Sequence, residues 1–168
     1  ENIGCAVVLE GPEYLSYRQK GRATAFYQVL SRLHSEYPQR IKEMEPDRDD
    51  ANKISVRIAD PKAFEALVQE LKKDFSVVRY ESFPFVEMMP AGINKADGIE
   101  ALITHLGIPR SHTYAFGDGP NDLEMLQYVQ YGTAMGNSEE SVLKVARYKT
   151  EGMWEDGIYL GLKRYGLI

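Results

Sequence analysis

The chain has 168 residues, enough for one ordinary domain or two small ones. Its apolar fraction of 43% and charged fraction of 27% are those of a folded globular protein and argue against a disordered one. A formal charge of −5 argues against nucleic-acid and acidic-membrane partners, which call for a basic face. The single cysteine, Cys5, cannot close an internal disulfide and lies in an apolar run, which suits a buried thiol in a reducing, cytoplasmic compartment. No apolar run approaches a membrane span, and no signal peptide is visible. Residue 1 is Glu, so the chain is read as a processed form or a fragment.

In chain order, Ile3 to Leu9 and Tyr14 to Arg18 read as strands, with Gly11 and Pro12 between them suggesting a hairpin. Ala25, Phe26, Val29, Leu30 and Leu33 follow helical spacing over Arg22 to Glu36, and Pro38 ends that helix. Glu43 to Asp50 reads as a solvated charged loop. Ile54, Val56 and Ile58 alternate with Ser55, Arg57 and Ala59, a strand with one polar face. Asp60 and Pro61 are an N-cap and N1 pair opening a helix through Leu71. Phe75 to Arg79 and Phe83 to Met89 are two further strands, completing an α+β unit with a mostly antiparallel sheet and a hint of a duplicated plan. The aromatics Tyr80, Phe83 and Phe85 suit strand packing, or a lid.

Pro90-Ala91-Gly92 looks like a seam, separating residues 1–90 from 91–168. Beyond it helices and strands alternate: helix Lys95 to Leu106, strand His112 to Phe116, helix Asp122 to Val129, strand Tyr131 to Met135, helix Glu139 to Ala146. A short strand, Tyr148 to Thr150, and a helix, Asp156 to Tyr165, close the pattern. Such alternation specifies a parallel sheet with crossover helices, yet with too few strands for a complete doubly wound domain.

The most informative stretch is the strand-turn-helix from Tyr114 to Leu126. Its turn holds Asp118, Asn121 and Asp122 among Gly117, Gly119 and Pro120. In open α/β sheets ligands bind beyond the carboxyl ends of the strands, and N–H groups at a helix start favour an anion there. Two carboxylates beside an anion need a cation between them, and Mg²⁺ is typically held by one or two carboxylates plus substrate phosphate. The alternative is local capping, with Asn121 and Glu124 as a capping box and Asp122 serving the helix dipole. Capping leaves Asp118 and its flanking glycines unexplained. Asn137 and Ser138 read as caps of the next helix, and Asp156-Gly157 as a helix start. His34, His105 and His112 lack metal-ligand spacing.

Gly117-Asp118-Gly119-Pro120-Asn121-Asp122-Leu123-Glu124-Met125 closely resembles the fourth motif, G-D-G-x-N-D-x-x-M, of the haloacid dehalogenase-like (HAD) hydrolases, and more narrowly of the Cof-type phosphatases with a class IIB cap. The resemblance extends to Ile93–Leu102 with His105–Ile108, similar to the lysine-bearing helix, and to Ala134–Asn137 and Glu155–Gly157, similar to the last two loops. It implies an α/β fold: an inserted α+β cap over residues 1–90 and the C-terminal half of a Rossmann-like core over 91–168. It further implies an Mg²⁺-dependent phosphatase acting through an aspartyl-phosphate on small phosphorylated metabolites, sugar phosphates first among them. Residue by residue, Lys95 matches the lysine that balances phosphoryl charge, and Asp118 the direct Mg²⁺ ligand. Asp122 matches the second acid, a ligand through water or a partner of Lys95, and Asn121 the amide that donates to substrate phosphate.

The family's nucleophile motif, D-x-D-G-T, is not found. The chain's D-x-D, Asp47-Arg48-Asp49, lies in the charged loop with no apolar strand before it and no Gly-Thr after it. The chain is therefore expected to lack an N-terminal segment carrying the nucleophile, a segment that would be its intramolecular partner, and to be inactive alone. A phosphomutase and a non-catalytic phosphate- or metal-binding module are the competing readings.

Overall fold

The computed structural model describes residues 4–20, 25–80 and 84–168, and the chain divides into two compact units, 1–92 and 93–168. Ile3, Arg22 and Phe83, which the sequence reading placed in a strand, a helix and a strand or lid, lie outside the described residues.

The first unit is a six-stranded sheet ordered β3-β2-β1-β4-β6-β5. Its elements are β1 (Cys5–Glu10), β2 (Leu15–Lys20), α1 (Ala25–Glu36), β3 (Ile41–Glu43), β4 (Lys53–Ile58), α2 (Pro61–Leu71), β5 (Phe75–Arg79) and β6 (Phe85–Pro90). The expected hairpin forms, with Val8 opposite Tyr17. Asp60 caps α2 by accepting from the Ala63 N–H at 2.7 Å, and Pro61 follows it. Side chains alternate across a strand, and β1 uses both faces. Val7 packs with Val56, Phe64 and Val68 under α2, whereas its neighbour Val8 packs with Tyr17 and Leu30 under α1. The helices thus lie on opposite faces of the sheet, and β2-α1-β3 and β4-α2-β5 are its two strand-helix-strand passes. The polar face of β4 is used as well: Lys53 Nζ lies 2.7 Å from Glu87 Oε1 and 3.1 Å from Glu10 Oε2, and the Tyr80 hydroxyl donates to Glu87 Oε2 at 3.0 Å. Tyr80 also meets Phe85 edge-on, as strand-packing aromatics do.

The solvated loop expected from Glu43 to Asp50 forms over residues 45–48, which are exposed, and needs correcting at its two ends. Its start belongs to β3, which runs parallel to β2. Near its end, the Asp49 side chain is covered: it pairs with Lys42 Nζ at 2.7 Å and accepts the Glu45 N–H at 2.8 Å and the Tyr14 hydroxyl at 3.3 Å. A charge run conceals this because a single buried acid with three donors looks no different in sequence from its solvated neighbours.

The second unit contains α3 (Lys95–Leu106), β7 (Tyr114–Gly117), α4 (Leu123–Tyr128), β8 (Tyr131–Ala134), α5 (Glu140–Val145), β9 (Tyr148–Lys149) and α6 (Gly157–Arg164). Its strands form a parallel sheet ordered β7-β8-β9. Ala115, Leu126, Val129, Ala134 and Val142 make the core on one face, joined by Ile99 of α3. Phe116, adjacent to Ala115, points the other way and meets α6, where a Cβ on Gly161 would stand 2.3 Å from its ring. The Thr133 and Tyr165 hydroxyls close that side at 2.6 Å. Among the described residues no helix is long and apolar enough to cross a membrane.

The Lys42 ammonium, opposed by burial, holds the Asp49 carboxyl well below its usual range. A depressed carboxyl stabilises the fold above its unfolded value of 3.8 and loses that contribution as pH falls toward the folded value. Asp49→Asn is therefore expected to lower the urea midpoint at neutral pH, with the mutant and wild-type curves converging as pH drops below 3.8. Parallel curves over that range would refute the assignment.

Candidate active site

Lys95, Asp118, Asn121 and Asp122 all belong to the second unit. Lys95 is the first residue of α3, whose start is fixed by a capping box: Asn94 accepts from the Ala96 and Asp97 N–H groups, and Asp97 accepts from the Asn94 N–H. Asp118 follows β7 directly, and Asn121 and Asp122 occupy the single 3₁₀ turn, Pro120–Asp122, that leads into α4.

Asp122 organises the turn. It is buried, at 5% exposure, and its two oxygens have separate tasks. Oδ1 takes Lys95 Nζ at 2.5 Å, while Oδ2 accepts the Asp118 and Gly119 N–H groups at 3.0 and 3.2 Å. Gly117 makes this possible by close approach: a Cβ there would sit 2.6 Å from Asp122 Cβ and 2.8 Å from Oδ2. The capping box expected from Asn121 and Glu124 is not the one formed; the Asp122 carboxylate reaches back across the turn instead. The Asp118 and Gly119 N–H groups therefore serve Asp122 and not an incoming anion. Lys95 has its side chain half exposed and one of its three donors used among the described residues.

Asp118 is exposed, and its carboxylate is held by a different loop. Asn137 Nδ2 donates to its Oδ2 at 2.9 Å, and its carbonyl accepts the Glu139 N–H at 3.1 Å. Among the described residues no hydrogen bond reaches Asp118 Oδ1. Asn137 Oδ1 in turn accepts the Met153 N–H at 2.8 Å. Ser138 Oγ lies 2.6 Å from the Met135 carbonyl and 3.2 Å from that of Gly117. Asn137 and Ser138, expected as caps, thus do not cap α5, which begins after Glu139 with no side-chain cap. The carboxylate that follows β7 takes the Asn137 amide, while the Ser138 hydroxyl turns back chiefly to the Met135 carbonyl. The usable signal was topological: β7 and β8 are parallel neighbours, so the loops leaving them emerge at one edge. Asp156 does open α6, in a left-handed conformation at φ 55°, and Gly157 follows where a Cβ would stand 2.0 Å from the Glu151 carbonyl oxygen.

Among the described residues no three His, Cys, Asp or Glu side chains gather as a metal cage. The donor set is one open carboxylate, Asp118, beside one bonded at both oxygens, Asp122. That set suits a hard cation that keeps its waters and takes further oxygens from substrate, and it does not suit zinc.

The profile of the haloacid dehalogenase-like hydrolases matches residues 2–162, nearly the whole chain. The chain belongs to that family. A solved HAD subclass IIB sugar phosphatase superposes on it with a TM-score of 0.75 at 25% identity, over 98% of this chain and 62% of the other. A HAD-superfamily phosphatase from Bacteroides thetaiotaomicron gives a TM-score of 0.71 at 28% identity, over 98% of this chain and 60% of that one. In sequence, the 5-amino-6-(5-phospho-D-ribitylamino)uracil phosphatase YitU of Bacillus subtilis is 41% identical over 80 residues, 48% of this chain and 30% of that protein. An uncharacterised protein of Geobacillus stearothermophilus, from the 5′ region of pdhA, is 46% identical over 95 residues, 56% of this chain and 99% of that protein. The HAD chain described here therefore spans about a third of the length of YitU and about three-fifths of those solved structures. Its second unit is a partial Rossmann-like HAD core, and the α+β unit before it completes the fold class expected from sequence.

Gly117→Ala should destabilise the protein by about 1–3 kcal/mol, because the added methyl collides with a side chain that is buried and bonded at both oxygens. Urea unfolding measures this, and an unchanged midpoint would show that Asp122 can move aside freely.

Proposed function

We propose that the complete protein is an Mg²⁺-dependent phosphatase of small phosphorylated metabolites, with sugar and polyol phosphates the first class to test. The observation that carries the proposal is the bracing of Asp122, which binds the Lys95 ammonium through one oxygen and the Asp118 N–H through the other and so holds both residues at one turn. In this reading Lys95 meets the phosphoryl oxygens as a compact point charge, and Asn121 adds an amide donor. Asp118 would offer Oδ1 to the cation, while Asp122, bonded at both oxygens, would chiefly hold Lys95 in place. Bound Mg²⁺ supplies neutralisation of the charge on the phosphate. The similarity to a solved sugar phosphatase and to a phosphatase of a ribitylaminouracil phosphate supports the substrate class. The first unit is proposed as the cap.

The attacking carboxylate, and with it the aspartyl-phosphate, is proposed to come from outside these 168 residues. The Asp-x-Asp within the chain supports this, because Asp49 is bound into a loop of the other unit by Lys42, Tyr14 and the Glu45 N–H. So does β7, which among the described residues is paired on one edge only.

With p-nitrophenyl phosphate and Mg²⁺, the 168-residue chain should show no turnover, while a longer polypeptide carrying a D-x-D-G-T strand should. Equal rates from both would place the nucleophile within this chain. In the longer protein Asp118→Asn should lower kcat by about 100-fold or more. Retained activity with the same Mg²⁺ dependence would remove Asp118 from the site.

A further inference from the structure

Asn137 is an exposed side chain fixed at both ends. Its Nδ2 donates to Asp118 Oδ2 at 2.9 Å, and its Oδ1 accepts the Met153 N–H at 2.8 Å. These partners permit one orientation of the amide. A carboxylate only accepts and a backbone N–H only donates, so a flipped amide would set oxygen against oxygen and N–H against N–H. The anchor behind it is itself built. Gly136 N–H donates to the Glu151 carbonyl at 3.1 Å, and the Glu155 and Gly157 N–H groups both return to the Gly152 carbonyl, at 3.2 and 3.0 Å. Arg164 Nη2 lies 3.4 Å from Glu151 Oε1. Asp118 has no comparable restraint of its own: it is exposed, and the side-chain bond it receives comes from Asn137.

We propose that Asn137 is the positioning residue of the metal site, an inference that rests on the assignment of Asp118 as cation ligand. By engaging Oδ2 it holds the Asp118 carboxylate in one rotamer and leaves Oδ1 as the oxygen offered to the cation. The 151–157 loop, through the Met153 N–H, fixes Asn137 in its turn. Asn is the side chain that fits both partners. An aspartate would keep the acceptor for Met153 but place a second carboxylate against Asp118, and a leucine would keep the bulk and lose both bonds.

The test is direct Mn²⁺ binding to the complete enzyme, followed by the electron paramagnetic resonance of the free ion, for wild type, Asp118→Asn and Asn137→Leu. Asn137→Leu should weaken Mn²⁺ binding about tenfold, the scale typical of groups that orient metal ligands. The Mg²⁺ concentration for half-maximal activity should rise by a similar factor, with kcat at saturating Mg²⁺ little changed. A merely structural role would lower the melting temperature and leave metal affinity alone, and that result overturns the proposal. Should Asn137→Leu fold poorly, wild-type protein gives a second reading: Mg²⁺ should shift the side-chain amide resonances of Asn137, and unmoved resonances would count against it. If Asp118→Asn binds Mn²⁺ as wild type does, the metal assignment itself falls. If Asp118→Asn loses binding and Asn137→Leu keeps it, only the role of Asn137 falls.

Discussion

A buried carboxylate has to be matched by donors, and the way Asp122 meets that requirement arranges the rest of the site. One oxygen engages the ammonium of Lys95 on α3, and the other engages the N–H groups that follow β7. Removing either partner would leave negative charge in a place that solvent barely reaches, a situation proteins avoid because desolvating an unpaired charge is expensive. The pair itself is half exposed through Lys95, so its direct contribution to stability is modest. Its structural consequence is larger, because two segments 27 positions apart in sequence are held in register by one side chain.

Around this brace the charges are distributed unequally. Lys95 keeps donors to spare, Asp118 keeps one unengaged oxygen, and Asp122 is bonded at both oxygens. In the proposed function a phosphate and a divalent cation share the site, the positive group and the open carboxylate being separate side chains held by one frame. The acids are therefore not interchangeable, although they sit four positions apart in one short turn. Burial and hydrogen bonding differentiate them: Asp122 is internal scaffolding, and Asp118 is a surface group restrained from outside by Asn137.

Much of this was legible in the chain before any coordinates. Regular elements with strong periodicity fell where the pattern placed them, as with α3 and β5, and the Asp60-Pro61 cap formed as residue chemistry requires. Lys95 and Asp122 were tied together by a family resemblance that left open whether the second acid serves metal or lysine; the coordinates show the lysine contact. What escaped was nonlocal and short. The three-residue β3 carries too little pattern to be seen, and it forms because β2 offers a parallel edge. Asp49 looked solvated because nothing nearby in sequence announces Tyr14 and Lys42 as its partners. Asn137 and Ser138 obey local capping statistics, but the sheet brings Asp118 close enough to win the Asn137 amide, and the Ser138 hydroxyl goes first to the Met135 carbonyl.

The central claim is that cation and phosphoryl group meet at the braced turn. It is tested most directly by a crystal structure of the complete enzyme with Mg²⁺ and orthovanadate. The account expects Asp118 Oδ1 on the metal at about 2.1 Å, Lys95 Nζ touching a vanadate oxygen, and the Asp122 bonds unchanged. Metal and vanadate bound together elsewhere, with Asp118 and Lys95 untouched, would contradict it.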